Sequence, residues 1–245
     1  MLSTKPWRIE TTLLCGAGLF TCICLGAIVG ELLRRAGVAG FRHPDDFGPL
    51  LIGTLCVQGI SWPLILFFLH EHHLRPGDAF GLRGPNLKRA ISLAALVALL
   101  ILPIAWLLQS LSLEVLIKVG IEPQNQMAVT AMENAHALWL QIYLGLFAVV
   151  IAPVAEEFIF RGILYPLVKQ AGFPRFAAIG VSLLFAAIHF DAGTFLPLFV
   201  LALAFTWLYE ATDNLLAPIV AHALFNGANL LRLVQMQHQL APLAQ

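Results

Sequence analysis

The stretch Ala152-Pro-Val-Ala-Glu-Glu-Phe-Ile-Phe-Arg-Gly162 decides how the rest of the chain is read. It lies inside an apolar run from Ala137 to Val168 and places two adjacent carboxylates, Glu156 and Glu157, and a guanidinium, Arg161, within that run. An ionised side chain in hydrocarbon costs at least a few kcal/mol on insertion scales, so such residues face a bundle interior and mark functional sites. Read as a helix, the run sets Glu157 and Arg161 four residues apart on one face, where they pair. Glu156 stands about 100° away around the helix, with Phe160 rather than a cation one turn on. The expected division of labour is that Arg161 neutralises Glu157 and leaves Glu156 for another partner. Pro153, just before the glutamates, is expected to bend the helix and free carbonyls beside Glu156.

The surroundings of this run are equally apolar. Of 245 residues, 59% are hydrophobic and 11% charged, against about a quarter charged in a soluble domain. The mean hydropathy is +0.84. These values predict an all-α, polytopic transmembrane helical bundle, with residues 1–245 as a single integral membrane domain. A formal net charge of zero offers no footprint for nucleic acid. Cys15, Cys22, Cys24 and Cys56 all fall in predicted spans, where they read as small apolar residues rather than as a disulfide or metal set.

About seven spans are expected: Thr11 to Gly30, Phe47 to Leu69, Ala90 to Leu111, Ala137 to Val168, Arg175 to Phe190, Thr194 to Tyr209 and Leu215 to Val234. The first is longer than a signal-peptide core and is followed by Glu31, Arg34 and Arg35, so it reads as a retained span. Between spans, His43-Pro-Asp-Asp46 and the polar stretch Glu122 to His136, with Pro123, Gln124, Asn125 and Gln126, read as loops. Residues 112–121 read as a short interfacial helix. His70-Glu-His-His73 ends the second span; it lacks the two-histidine zinc-helix spacing and reads as an interfacial polar cap. Basic residues favour an N-terminus inside. Lys5, Arg8, Arg75, Arg83, Lys88, Arg89, Lys169 and Arg175 fall on one side; Arg34, Arg35, Arg42, Lys118 and Arg232 fall on the other.

Further polar residues, His189, His222 and Asn226 among them, lie in the last spans. Phe185 and His189 share a helix face, as do His222 and Asn226. Measured from the Lys169 to Phe173 turn at about 1.5 Å per residue, Glu156 is roughly 18–20 Å deep, His189 roughly 22 Å, and His222 and Asn226 roughly 12–20 Å. Taken singly, each has a structural reading as a helix–helix hydrogen bond. Three helices placing polar groups at one depth favour a buried polar pocket able to do chemistry on water.

Taken in order, these residues resemble the CPBP group of intramembrane proteases, which includes the type II CAAX prenyl endopeptidases and proteins linked to bacteriocin processing and immunity. Glu156-Glu157-Phe-Ile-Phe-Arg161 resembles its EExxxR motif, Phe185-Ala-Ala-Ile-His189 its FxxxH motif, and His222-Ala-Leu-Phe-Asn226 its HxxxN motif. The motifs lie within residues 152–234; the N-terminal half matches only as generic spans. The resemblance implies an endopeptidase in which Glu156, assisted by His189, activates water, while His222 and Asn226 stabilise the oxyanion and Glu157 and Arg161 support the site. A carboxylate held away from water is a stronger base, which suits that role. A metalloenzyme version, with Glu156, His189 and His222 as three ligands of a zinc ion, uses the same side chains. The implied partners are a peptide or membrane-anchored protein substrate and the lipid bilayer, in a bacterial inner membrane. The rival is a non-catalytic immunity or scaffold protein in which the polar cluster is helix glue. A transporter fits less well, because no inverted repeat is visible.

Overall fold

A backbone in hydrocarbon must close its hydrogen bonds within the segment, and this one does so as helices, with no strand among the described residues. The computed structural model describes residues 2–42, 46–83, 87–122, 127–135 and 137–240. His43, Pro44 and Asp45 of the first polar loop, and residues 123–126 and His136 of the second, lie outside these.

The helices are α1 (Ile9–Arg35), α2 (Phe47–Glu71), α3 (Pro76–Ala79), α4 (Leu87–Lys118), α5 (Met127–Glu133), α6 (Leu138–Gln170), α7 (Pro174–Ala187), α8 (Ala192–Thr212) and α9 (Leu216–Leu240). Five of them, α1, α2, α4, α6 and α8, are long and apolar enough to cross a membrane. The other two expected spans fall on α7, which is apolar but only 14 residues long, and on α9, whose His222, Asn226, Asn229 and Arg232 dilute its apolar character. Residues 112–121 do not form a separate interfacial helix. α4 runs on to Lys118, and its last turn is laced by a Glu114–Lys118 pair at 2.7 Å. The second polar stretch is not loop throughout, since it holds α5.

Helix α8 is the hub, packed against α4, α7 and α9. The reason is in the spacing. Ala90, Ala94, Ala98 and Ala105 on α4, and Ala217 and Ala221 on α9, form stripes at helical intervals. Between these small residues sit Leu201, Phe205 and Leu208 of α8. Lipid supplies no hydrophobic drive between helices, so close approach over small residues is how such helices associate.

The N-terminal segment fastens one end of the bundle. Lys5 N–H donates to Gln170 Oε1, and the Lys5 ammonium pairs with Asp213 at 3.2 Å. Arg8 N–H donates to His72 Nε2 at 2.9 Å. These contacts bring the chain start, the end of α2, the end of α6 and the α8–α9 turn to one edge, the side expected to be inside. Gly81, with φ +69, lets the loop after α3 lie against that turn; a Cβ there would stand 2.0 Å from the Asp213 carbonyl oxygen. Trp7 is buried among Phe68, Phe80 and His72, and its indole N–H donates to the Gly162 carbonyl at 2.9 Å. Trp7→Phe keeps most of the packing and removes that donor. The expected cost is about 1 kcal/mol, seen as a fall of roughly 2–4 °C in the melting temperature of the detergent-solubilised protein.

Candidate active site

Helix α6 carries the two glutamates, and its register explains where they point. The helix runs on through Pro153. Two wide turns, Phe147–Ile151 and Phe158–Leu164, flank the α-helical segment Ala152–Glu157. In each, the residue after the wide turn donates five residues back: Ala152 N–H to Phe147 O, and Tyr165 N–H to Phe160 O. A proline, Pro153 or Pro166, follows each donor. Wide turns of this kind absorb the missing proline N–H without breaking the helix and are frequent at functional sites.

Glu157 and Arg161 meet as expected. Arg161 Nη1 donates to Glu157 Oε1 at 2.9 Å, and both side chains are 0% exposed. Arg161 Nη2 also donates to the Ala202 carbonyl of α8 at 3.1 Å. Its guanidinium lies 4.5 Å from the ring centre of Phe185 and 5.4 Å from that of Phe205, a setting in which aromatic faces stabilise a cation.

The same Glu157 oxygen reaches His222 of α9. His222 Nδ1 stands 2.9 Å from Glu157 Oε1. A carboxylate accepts, so Nδ1 carries the hydrogen and Nε2 is the working nitrogen. His222 Nε2 faces Glu156 Oε2 at 3.9 Å, too far for a hydrogen bond but close enough for one atom or small group to bridge. The His222 ring rests on Phe205 at 5.0 Å between centres. Sequence reasoning gave Glu157 only a supporting role opposite Arg161; the structure makes it the residue that fixes the tautomer of His222. Neither this contact nor Phe205 was visible, because periodicity fixes the face of one helix and not its rotation against another.

Glu156 is the more open of the two carboxylates, with its side chain 20% exposed against 0% for Glu157. Asn226, one turn beyond His222, is engaged: its Nδ2 donates to the Ala148 carbonyl at 2.9 Å. His189 differs from expectation. Helix α7 ends at Ala187, so His189 follows its end, and its Nδ1 turns back on the Phe185 carbonyl at 2.7 Å. It makes no ion pair with Glu156 among the described residues; Phe185 packs against both imidazoles instead, at 4.9 Å and 5.9 Å. With Nδ1 bound to the carbonyl as donor, His189 Nε2 has no hydrogen-bond partner among the described residues.

Among the described residues, no three His, Cys, Asp or Glu side chains gather closely enough to hold a metal ion. Glu156, His189 and His222, offered by the sequence as zinc ligands, do not form such a group. A groove of about 450 Å³ between α1 and α2, lined by Gly26, Gly30 and Gly53, shares no residue with the polar cluster.

Residues 138–228, which hold every one of these side chains, match the family model described as "Type II CAAX prenyl endopeptidase Rce1-like". This match supports the resemblance of the segment to the CPBP family. A Bacillus subtilis (strain 168) protein named "Putative membrane peptidase YdiL" is 28% identical to the chain over 108 residues, 44% of this chain. The aligned part spans 42% of that relative, less than half its length. No solved structure matches the chain at the same stringency. The matched segment ends at residue 228 and leaves α1, α2 and α4 outside it.

Proposed function

We propose that this chain is an intramembrane endopeptidase that hydrolyses a peptide bond of a membrane-associated peptide or protein. The observation that carries the reading is the geometry around His222: one nitrogen is locked by buried Glu157, while the other faces the more open Glu156 across 3.9 Å. Glu156 takes a proton from water as the water attacks the carbonyl carbon, and returns it to the departing amine. The tetrahedral oxyanion is held by His222, when Nε2 is protonated, and by the second amide hydrogen of Asn226. His189, through Nε2, assists at the water or the leaving group. Glu157 and Arg161 hold His222 in place. The family match and the relative named as a membrane peptidase support the class of reaction. The bacterial inner membrane is the proposed location.

One observation favours a second reading. The Asn226–Ala148 and Glu157–Arg161 bonds tie helices together without any substrate, as they would in a non-catalytic immunity or scaffold protein. Mapping of peptide termini separates the two. Cells expressing the wild type or Glu156→Gln at equal membrane levels are compared. Termini present only with the wild type are expected; identical termini, with both proteins inserted, would favour the binding reading.

A further inference from the structure

The hydrogen bond made by Asn226 has a cause in the backbone of α6. In the wide turn, Ala152 N–H donates to Phe147 O, so it is not available to Ala148 O four residues back. Continuing that five-residue register, the next donor for Ala148 O is residue 153, a proline with no N–H. The Ala148 carbonyl is thus left without a helical donor in a place where an unpaired backbone group is costly. Asn226 Nδ2 fills the vacancy at 2.9 Å. The carbonyl can only accept, so this contact also fixes which end of the carboxamide is NH₂.

The second wide turn also has a side-chain donor. Gly162 O is four residues before Pro166, and its side-chain donor is the Trp7 indole N–H at 2.9 Å. Each wide turn of α6 thus holds one carbonyl that accepts from a side chain of a different element.

We propose that Pro153 is a positioning residue for the site: by withholding its N–H it reserves the Ala148 carbonyl for Asn226, and this aims the remaining amide hydrogen of Asn226. The positioning role rests on the reading of Asn226 as an oxyanion donor; the structural link between Pro153 and Asn226 does not. Alanine at position 153 supplies an N–H that competes for Ala148 O or lets the wide turn close up. Either result frees the carboxamide to rotate.

The test is a double-mutant cycle of Pro153→Ala and Asn226→Ala, read by melting temperature and by cleavage of a substrate identified from the termini. In the wild-type background Asn226→Ala is expected to lower the melting temperature by roughly 2–4 °C, the scale of one lost hydrogen bond in a chain of this length. In the Pro153→Ala background that drop should at least halve. Pro166→Ala, the same chemical change at the other wide turn, should leave it unaltered. In cleavage, Pro153→Ala should cost about tenfold in kcat with little change in KM, and the double variant should be no slower than Asn226→Ala alone. Equal destabilisation by Asn226→Ala in both backgrounds would overturn the link. Coupled stability with wild-type kcat in Pro153→Ala would overturn the positioning role. Absence of cleavage by the wild type would instead remove the proposed function and leave the stability cycle to decide the link.

Discussion

Glu156→Gln in the purified, reconstituted protein is expected to lower cleavage by about 10²–10⁴-fold, the usual contribution of a positioned general base, while melting within about a degree of the wild type. The asymmetry follows from the two neighbouring carboxylates. Glu156 makes no hydrogen bond among the described residues, and His222 Nε2 stands 3.9 Å from its Oε2. Its side chain is partly open, so a neutral isostere of equal size removes charge without leaving a partner stranded. Glu157 has the opposite setting: it is fully buried, with Arg161 and His222 both at 2.9 Å. Glu157→Gln should therefore lose stability as well as activity. Cleavage rates and melting curves measured on the same preparations distinguish the two. A Glu156→Gln protein that cleaves at the wild-type rate would remove the general-base role, and one that unfolds would make Glu156 structural.

Much of this arrangement can be read from the sequence, and the parts that cannot have physical reasons. The Glu157–Arg161 pair is legible because an i, i+4 spacing is a property of a single helix. The shared edge formed by Lys5, Gln170 and Asp213 agrees with counting alternate turns along apolar runs of spanning length. The Glu157–His222 contact joins residues 65 apart in the chain and depends on how α9 is rotated against α6, which hydrophobic periodicity does not encode. The wide turns of α6 are hidden for a related reason. They change the register by one residue without changing composition, so the sequence shows Pro153 but not the wide turn that precedes it. His189 was expected inside a helix because its surroundings are apolar. The helix stops two residues earlier, and the imidazole caps its last turn by donating to the Phe185 carbonyl, a use of histidine that favours helix C-termini. The continuation of α4 past Leu111 was hidden by a change from uniformly apolar to amphipathic residues. Leu, Ile, Glu and Lys are adequate helix formers in either setting.

Arg161→Leu is expected to produce the largest loss of stability of any substitution in the cluster, about 3–5 kcal/mol. The guanidinium is 0% exposed and answers four groups at once: the Glu157 carboxylate, the Ala202 carbonyl and the faces of Phe185 and Phe205. Leucine fills much of the volume but leaves Glu157 as a buried charge whose remaining partner is His222. Arg161→Lys should recover only part of the loss, because an ammonium cannot span Glu157 and Ala202 with a rigid fork. The decisive comparison is the double variant Glu157→Leu/Arg161→Leu. Replacing a whole buried pair by apolar residues is often neutral or stabilising, whereas removing one partner is not. The double variant should therefore melt closer to the wild type than Arg161→Leu does. It should still fail to cleave, because His222 Nδ1 has lost its acceptor and the ring is free to change tautomer and swing. Melting temperature then recovers between the single and double variants while cleavage stays lost. A role confined to holding helices together predicts that they move together, and recovery of cleavage in the double variant would establish that role instead.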